Sequence, residues 1–262
     1  MPRQQQKQKR LAQNFLRDVR LVRRLVRVAK LNSSDTIYEI GPGLGIITAE
    51  LSRVAERVIA IEKDSALVRR LRERFRTIKN VEIVEGDFLE HSVTRPDYKI
   101  FASIPFNLTA SIVRKILWTR PTPTDAFLIM QREPARRFAG LGGETLFSIT
   151  AKPYFEFDIT ARLKKTDFVP VPDVESVLLR IHRRADALIS RTDSRAYREF
   201  ATLGFAGWKP NLRTAYKRVF TYTQWKRLAR DIHFPINATP TGLTFDQWLR
   251  LFEAFKKLKL PG

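Results

Sequence analysis

The sequence predicts an α/β fold: a mostly parallel seven-stranded sheet with helices on both faces, an antiparallel element at one edge, and a small C-terminal helical domain. Three observations carry the prediction. Strand-like and helical stretches alternate strictly from residue 35 to residue 140, the pattern of parallel strands joined by crossover helices. Two later strand-like runs follow one another with no long helix between them, which suits an antiparallel edge. Beyond residue 184 the strand signal stops and helical periodicity takes over. The expected domains are therefore 1–183 and 184–262.

Residues 18–30, DVRLVRRLVRVAK, set Val19, Val22, Leu25, Val26 and Ala29 at helical spacing with Arg between them. DTIYEIGPG (35–43) is a short strand entering a Gly/Pro turn, GIITAELSRVA (45–55) a helix and RVIAIEKD (57–64) a strand. SALVRRLRERF (65–75) is a helix with Ser65 as its expected N-cap. NVEIVEGDFLE (80–90) and YKIFASIP (98–105) are the next strands, LTASIVRKILW (108–118) a helix, DAFLIMQ (125–131) a fifth strand and EPARRFAG (133–140) a short helix. YFEFDITARL (154–163) and ESVLLRIHR (175–183) supply the last two strands. The tail carries helices at SRAYREFATLGF (194–205), TQWKRLARDI (223–232) and FDQWLRLFEAFKKL (245–258).

Charge is the dominant compositional signal. Against 27 acidic residues stand 48 Lys and Arg, a net charge of +21, which points to a polyanionic partner. Both ends are basic, and Asp18 is the one acid in the first 30 residues. An Arg-rich genome is the compositional alternative. Membrane-surface binding fits less well, because the basic residues do not fall on one long amphipathic helix. Zero Cys removes disulfides, thiolate metal ligands and Cys nucleophiles together, and the three His lie far apart without metal-ligand spacing. With no apolar run long enough for a membrane span and no secretory signal, a cytoplasmic, metal-free monomer is expected.

EIGPGLG places Gly41, Gly43 and Gly45 on the turn between the first strand and its helix. Glycine allows positive φ and close backbone approach ahead of a helix N-terminus. No Lys follows as in a phosphate-cradling P-loop, and the G-x-G-x-x-G spacing is absent. Glu62 ends the second strand, where a carboxylate can accept both ribose hydroxyls. Asp87 ends the third, where one could take the exocyclic amine of an adenine. Taken singly, each is more often a solvated strand end. Ends of successive parallel strands face one crevice, however, and together they favour a nucleoside cofactor.

In their order and spacing, QNFLRD, YEIGPGLG, IEKD, GDFL, SIPF and FVPVPDVESVLLR resemble the class I, Rossmann-like S-adenosylmethionine-dependent rRNA adenine N6-methyltransferases. More narrowly, the chain looks like the erythromycin-resistance (Erm) methyltransferases of 23S rRNA; LTFDQWLRLF (243–252) is more Erm-like than like the KsgA/Dim relatives that dimethylate small-subunit rRNA. The resemblance implies that Gln13, Asn14 and Leu16 lie against the cofactor's methionine end and that the backbone at Gly41 and Gly43 lines the pocket. It implies that Glu62 holds the ribose, Lys63 flanks the adenine, and Asp87 with Phe88 reads the adenine edge. Ser103, Ile104, Pro105 and Phe106 become the acceptor site, with Ser103 also touching the cofactor and Phe168 across the target base from Phe106.

The chemistry suits the tetrapeptide. Acceptors for the two N–H groups of an adenine amine draw its nitrogen toward a tetrahedral, nucleophilic geometry. Pro105 fixes φ and restricts Ile104, so the carbonyl before the proline has a defined direction, and Phe106 offers a ring face to a flipped base. The sequence departs from the family at two places: Ser103 stands where Asn is usual, and Val171 separates Pro170 from Pro172. The bland alternative is a capping turn with Phe106 in the core.

The implied function is methylation, once or twice, of N6 of one adenine in 23S rRNA, blocking macrolide, lincosamide and streptogramin B binding. A small-subunit rRNA dimethyltransferase is the alternative enzyme, and a noncatalytic rRNA-binding or transcription factor on the same fold is the alternative of another class. The 17–30 segment, Arg132, Arg136, Arg137 and the basic C-terminal domain are candidate phosphate grips, and GFAGWKPNLR (204–213), with Trp208, is either an RNA-facing loop or helix packing.

Overall fold

The computed structural model describes residues 15–207 and 211–259, so Gln13, Asn14 and Trp208 lie outside the described residues. Strand β1 (Phe15–Leu16) precedes helix α1 (Val19–Val28), which Asp18 caps by accepting from the Arg20 amide at 2.7 Å. The α1 face that is buried carries Leu21, Val22, Leu25 and Val26; Val19, expected on it, is 45% exposed. β2 (Thr36–Ile40), α2 (Ile46–Leu51), β3 (Arg57–Glu62), α3 (Ser65–Phe75) and β4 (Val81–Glu85) follow in alternation. Asp64, not Ser65, caps α3: its carboxylate accepts from the amides of Ala66 and Leu67, and Ser65 is the first helical residue.

β5 (Lys99–Ser103), α4 (Thr109–Trp118), β6 (Asp125–Gln131), α5 (Arg132–Ala139) and α6 (Leu146–Ala151) continue the chain. β7 (Phe155–Leu163), β8 (Phe168–Val169) and β9 (Ser176–Arg183) complete the strands. The seven-stranded sheet runs β4-β3-β2-β5-β6-β9-β7. Its first five strands are parallel and β9 pairs antiparallel with β6, in agreement with the α/β class and antiparallel edge expected. β2 is buried along its whole length and β6 nearly so, which is why both read as apolar runs. A separate two-stranded ribbon pairs Phe15 with Val169 and Leu16 with Phe168.

The chain divides into two compact units. The first runs to Ala135 and resumes over Glu156–Arg183; the second joins Arg136–Phe155 to the residues from Arg184 onward. One change of unit thus falls at 183/184, while 136–155, expected with the first domain, cluster with the second. The cause is local: the Tyr197 hydroxyl donates to the Ile149 carbonyl at 2.9 Å, and Ile149 packs in an aromatic core with Phe200, Tyr216, Trp225, Trp248 and Phe252. That core belongs to α7 (Ser194–Phe205), α8 (Leu212–Ala215), α9 (Tyr222–Ile232) and α10 (Phe245–Lys259).

Among the described residues, no helix is long and apolar enough to cross a membrane.

Candidate active site

The strand order changes direction between β2 and β5, the place where open parallel sheets leave a crevice at their carboxyl ends. A cavity opens there, and every described residue expected at the site lines it: Leu16, Gly41, Gly43, Glu62, Lys63, Asp87, Phe88, Ser103, Ile104, Pro105, Phe106 and Phe168.

The glycine turn has a geometric reason at two positions. Gly41 (φ +64°) donates its amide to the Ile61 carbonyl at 2.9 Å, and a Cβ built on it meets nothing within 4 Å, so its backbone stands open to an approaching group. Gly43 (φ +58°) is closed in: a Cβ there would sit 2.8 Å from a ring carbon of Phe15.

Glu62 is 5% exposed. Its two oxygens accept from the Gly43 amide at 3.1 Å and the Asp64 amide at 2.9 Å, which fixes the carboxylate plane at the end of β3. Asp87 accepts from the Lys63 ammonium at 2.5 Å and from the Leu89 amide at 2.9 Å. Those two bonds hold its carboxyl below the ordinary range, and the same pairing raises Lys63. Lys63 and Asp87, expected in separate roles, therefore pair with each other at the rim. Phe88 is buried, with the Lys115 ammonium 5.3 Å from its ring centre.

On the acceptor side, β5 ends at Ser103, half-buried and paired in register with Ile129 of β6. The Ile104 amide is spent on the Ile129 carbonyl at 3.0 Å. Pro105 sits at φ −61°, ψ 138° and turns the chain into a short 3₁₀ segment, Phe106–Leu108. Its own carbonyl accepts from the Leu108 amide at 3.0 Å and the Thr109 hydroxyl at 3.2 Å, so the turn is closed by α4. Phe106 is half-buried. Phe168, 3% exposed, packs in the core with Leu16 and Ile129 while also facing the cavity. The ribbon pairing Leu16↔Phe168 joins the two ends of the site.

Sequence reasoning missed several neighbours. Phe15 closes on Gly43, Ile129 supports the acceptor turn, and Ser176 lines the cavity with a buried hydroxyl that has no hydrogen-bond partner. Glu39, the acid inside YEIGPG, is 1% exposed with neither carboxyl oxygen hydrogen-bonded. Burial pushes it up to about 8; the nearby Thr48 hydroxyl offsets this only in part, and the charge of Glu62 adds to it. Its signal was an acid inside a strand that is otherwise apolar.

A sheet of this order, with a glycine turn and two carboxylates on the ends of successive parallel strands, defines a class I methyltransferase. The chain belongs to the ribosomal RNA adenine dimethylase family, whose model matches residues 4–257. It is 34% identical over 252 residues to the rRNA adenine N-6-methyltransferase of Aeromicrobium erythreum, covering 93% of this chain and 72% of that protein. It is 35% identical over 179 residues to the mycinamicin-resistance protein MyrB of Micromonospora griseorubida, covering 68% and 57%. Among solved structures, the 23S rRNA methyltransferase ErmE superposes with a TM-score of 0.87 at 30% identity, covering 93% of this chain and 100% of that one. These likenesses place the chain among the rRNA adenine N6-methyltransferases.

Proposed function

We propose that the protein transfers a methyl group from S-adenosylmethionine to N6 of a specific adenine in 23S rRNA, and that the modified ribosome resists macrolides, lincosamides and streptogramin B. The observation that carries this reading is the single cavity in which the glycine turn, Glu62, Asp87 and the Ser103–Phe106 turn share a wall. The likeness to ErmE supports 23S rRNA as the substrate, and that to MyrB supports a macrolide.

The residues present fit the adenosyl group. Gly41 leaves backbone open to it, the fixed Glu62 carboxylate keeps lone pairs for two vicinal hydroxyls, and Asp87 with Phe88 offers an acceptor beside an aromatic wall. When bound, the sulfonium supplies an electrophilic methyl group. The chain's own task is at the acceptor. The Ile104 carbonyl and the Ser103 hydroxyl accept the two N–H groups of the target amine, more strongly as its nitrogen gains positive charge. Phe106 and Phe168 hold the flipped base in line, and the alkylated amine releases its proton without a dedicated base.

The test is to incubate the protein with labelled S-adenosylmethionine and total rRNA, then map the modified nucleotide. Label on one 23S adenine is expected; label on 16S rRNA, or none, overturns the proposal.

A further inference from the structure

Helix α1 carries four arginines in ten residues and no acid in its first turn. Its orientation is fixed by Leu21, Val22, Leu25 and Val26, packed in the core with Ile37, Phe101 and Leu178. At about 100° per residue, Arg20, Arg24 and Arg27 then fall within roughly 60° of arc on the outward side. All three are exposed.

The fourth arginine is different. Arg23 donates through Nε to Glu50 at 2.9 Å and through Nη2 at 3.3 Å, so its charge is committed within the fold. Arg20, Arg24 and Arg27 have no carboxylate within ion-pair reach among the described residues. Like charges one turn apart repel, so the row costs the helix some stability, and the helix carries no acid of its own to offset it.

The row also has a place. Two residues ahead of the Asp18 cap, Leu16 lines the cavity, so the helix leaves directly from the cavity wall. From Arg20 to Arg27 the helix rises about 10 Å, matching roughly three charges of a stacked nucleic-acid strand at about 3.4 Å each. A membrane surface would need an apolar face beside the charges, and the apolar face of α1 is spent on the core.

Resting on the RNA substrate proposed above, we infer that Arg20, Arg24 and Arg27 form a phosphate track that holds the strand flanking the target adenosine as it enters the cavity. Arg23 is outside the track.

The experiment measures binding of a labelled 23S rRNA transcript over a salt series, for the wild type, for the triple variant Arg20→Gln/Arg24→Gln/Arg27→Gln, and for Arg23→Gln. At about 0.7 per phosphate in a single strand, losing three contacts lowers the slope of log K against log salt by about 2 and weakens binding by about tenfold or more at low salt. S-adenosylhomocysteine affinity should stay at the wild-type value, the melting temperature should hold or rise as the repulsion is relieved, and Arg23→Gln should keep the wild-type slope. A triple variant with wild-type slope and affinity overturns the track. Equal losses in Arg23→Gln overturn it as well, because the effect would then be general charge. If the wild type neither binds nor methylates RNA, or binds phosphatidylserine vesicles instead, the functional reading falls and the track with it.

Discussion

The Gly43 amide donates to Glu62 Oε2 at 3.1 Å, so the turn that ends β2 is tied to the carboxylate that ends β3. The other oxygen is held by the Asp64 amide at 2.9 Å. Glu62 is thus both a candidate ribose acceptor and the anchor of the glycine turn. Removing it in Glu62→Ala should weaken S-adenosylhomocysteine binding by about 10- to 100-fold, the size of one lost hydrogen bond to a charged group. Glu62→Gln should fall nearly as far, since its amide NH₂ would face one of two backbone donors. Calorimetry measures both, with rRNA affinity expected to hold; unchanged cofactor-product affinity contradicts the ribose role.

Lys115 of α4 donates to the carbonyls of Leu89 at 2.8 Å and His91 at 2.7 Å, and its charge helps hold the Asp87 carboxyl low. The helix that closes the acceptor turn thereby ties down the loop that carries Asp87 and Phe88. Lys115→Met should loosen that loop. We expect S-adenosylhomocysteine affinity to drop about 3- to 10-fold, with faster hydrogen exchange at residues 88–91 and partial rescue in Lys115→Arg. Wild-type exchange in this loop would remove the argument.

The legible parts were those written in local pattern. DAFLIMQ matches β6 to the residue because a buried parallel strand is an unbroken apolar run. The carboxylates Glu62 and Asp87 pointed to the crevice because each closes a strand-like stretch, the apolar VIAI before Glu62 and the alternating VEIVE before Asp87. The ribbon was not legible: two residues have no periodicity, and Leu16 meets Phe168 from the far side of the sequence. The short helix Leu146–Ala151 joins the second unit through Ile149, a long-range contact without a local mark. Asp64 and Ser65 are both good caps, and only the backbone decides between them. The Lys63–Asp87 pair crosses two strands, so neither residue announces the other.

The acceptor turn makes a separable prediction. Phe106 is half-buried at the cavity and Ser103 ends the strand beside it. Phe106→Ala should lower kcat by about tenfold or more through lost base stacking, with a smaller change in rRNA affinity. Ser103→Asn should keep or raise activity, because an amide oxygen can accept the same N–H as the hydroxyl. Single-turnover methylation and RNA binding, measured side by side, separate the two effects. Equal rates for Phe106→Ala sink the stacking role, and total loss in Ser103→Asn would mean the pocket is built around the smaller residue.

Glu39 predicts an unusual pH profile of stability. Its carboxyl is buried with no hydrogen bond to either oxygen, and burial raises it from the ordinary carboxylate range to about 8. Below about pH 4.5 the folded and unfolded chains both carry the proton, and this group adds no pH dependence to stability. As pH rises toward 8 the unfolded carboxyl ionises while the buried one stays neutral. The unfolded state then binds fewer protons, and stability falls by up to about 1.4 kcal/mol per pH unit before levelling off above the folded value. Glu39→Gln, a neutral isostere, should abolish this component. Urea midpoints compared at about pH 5.5 and about pH 8.5 should therefore fall less in the variant than in the wild type. Parallel profiles for the two proteins would show that Glu39 ionises normally in the fold, and that its burial is matched by a partner for the charge.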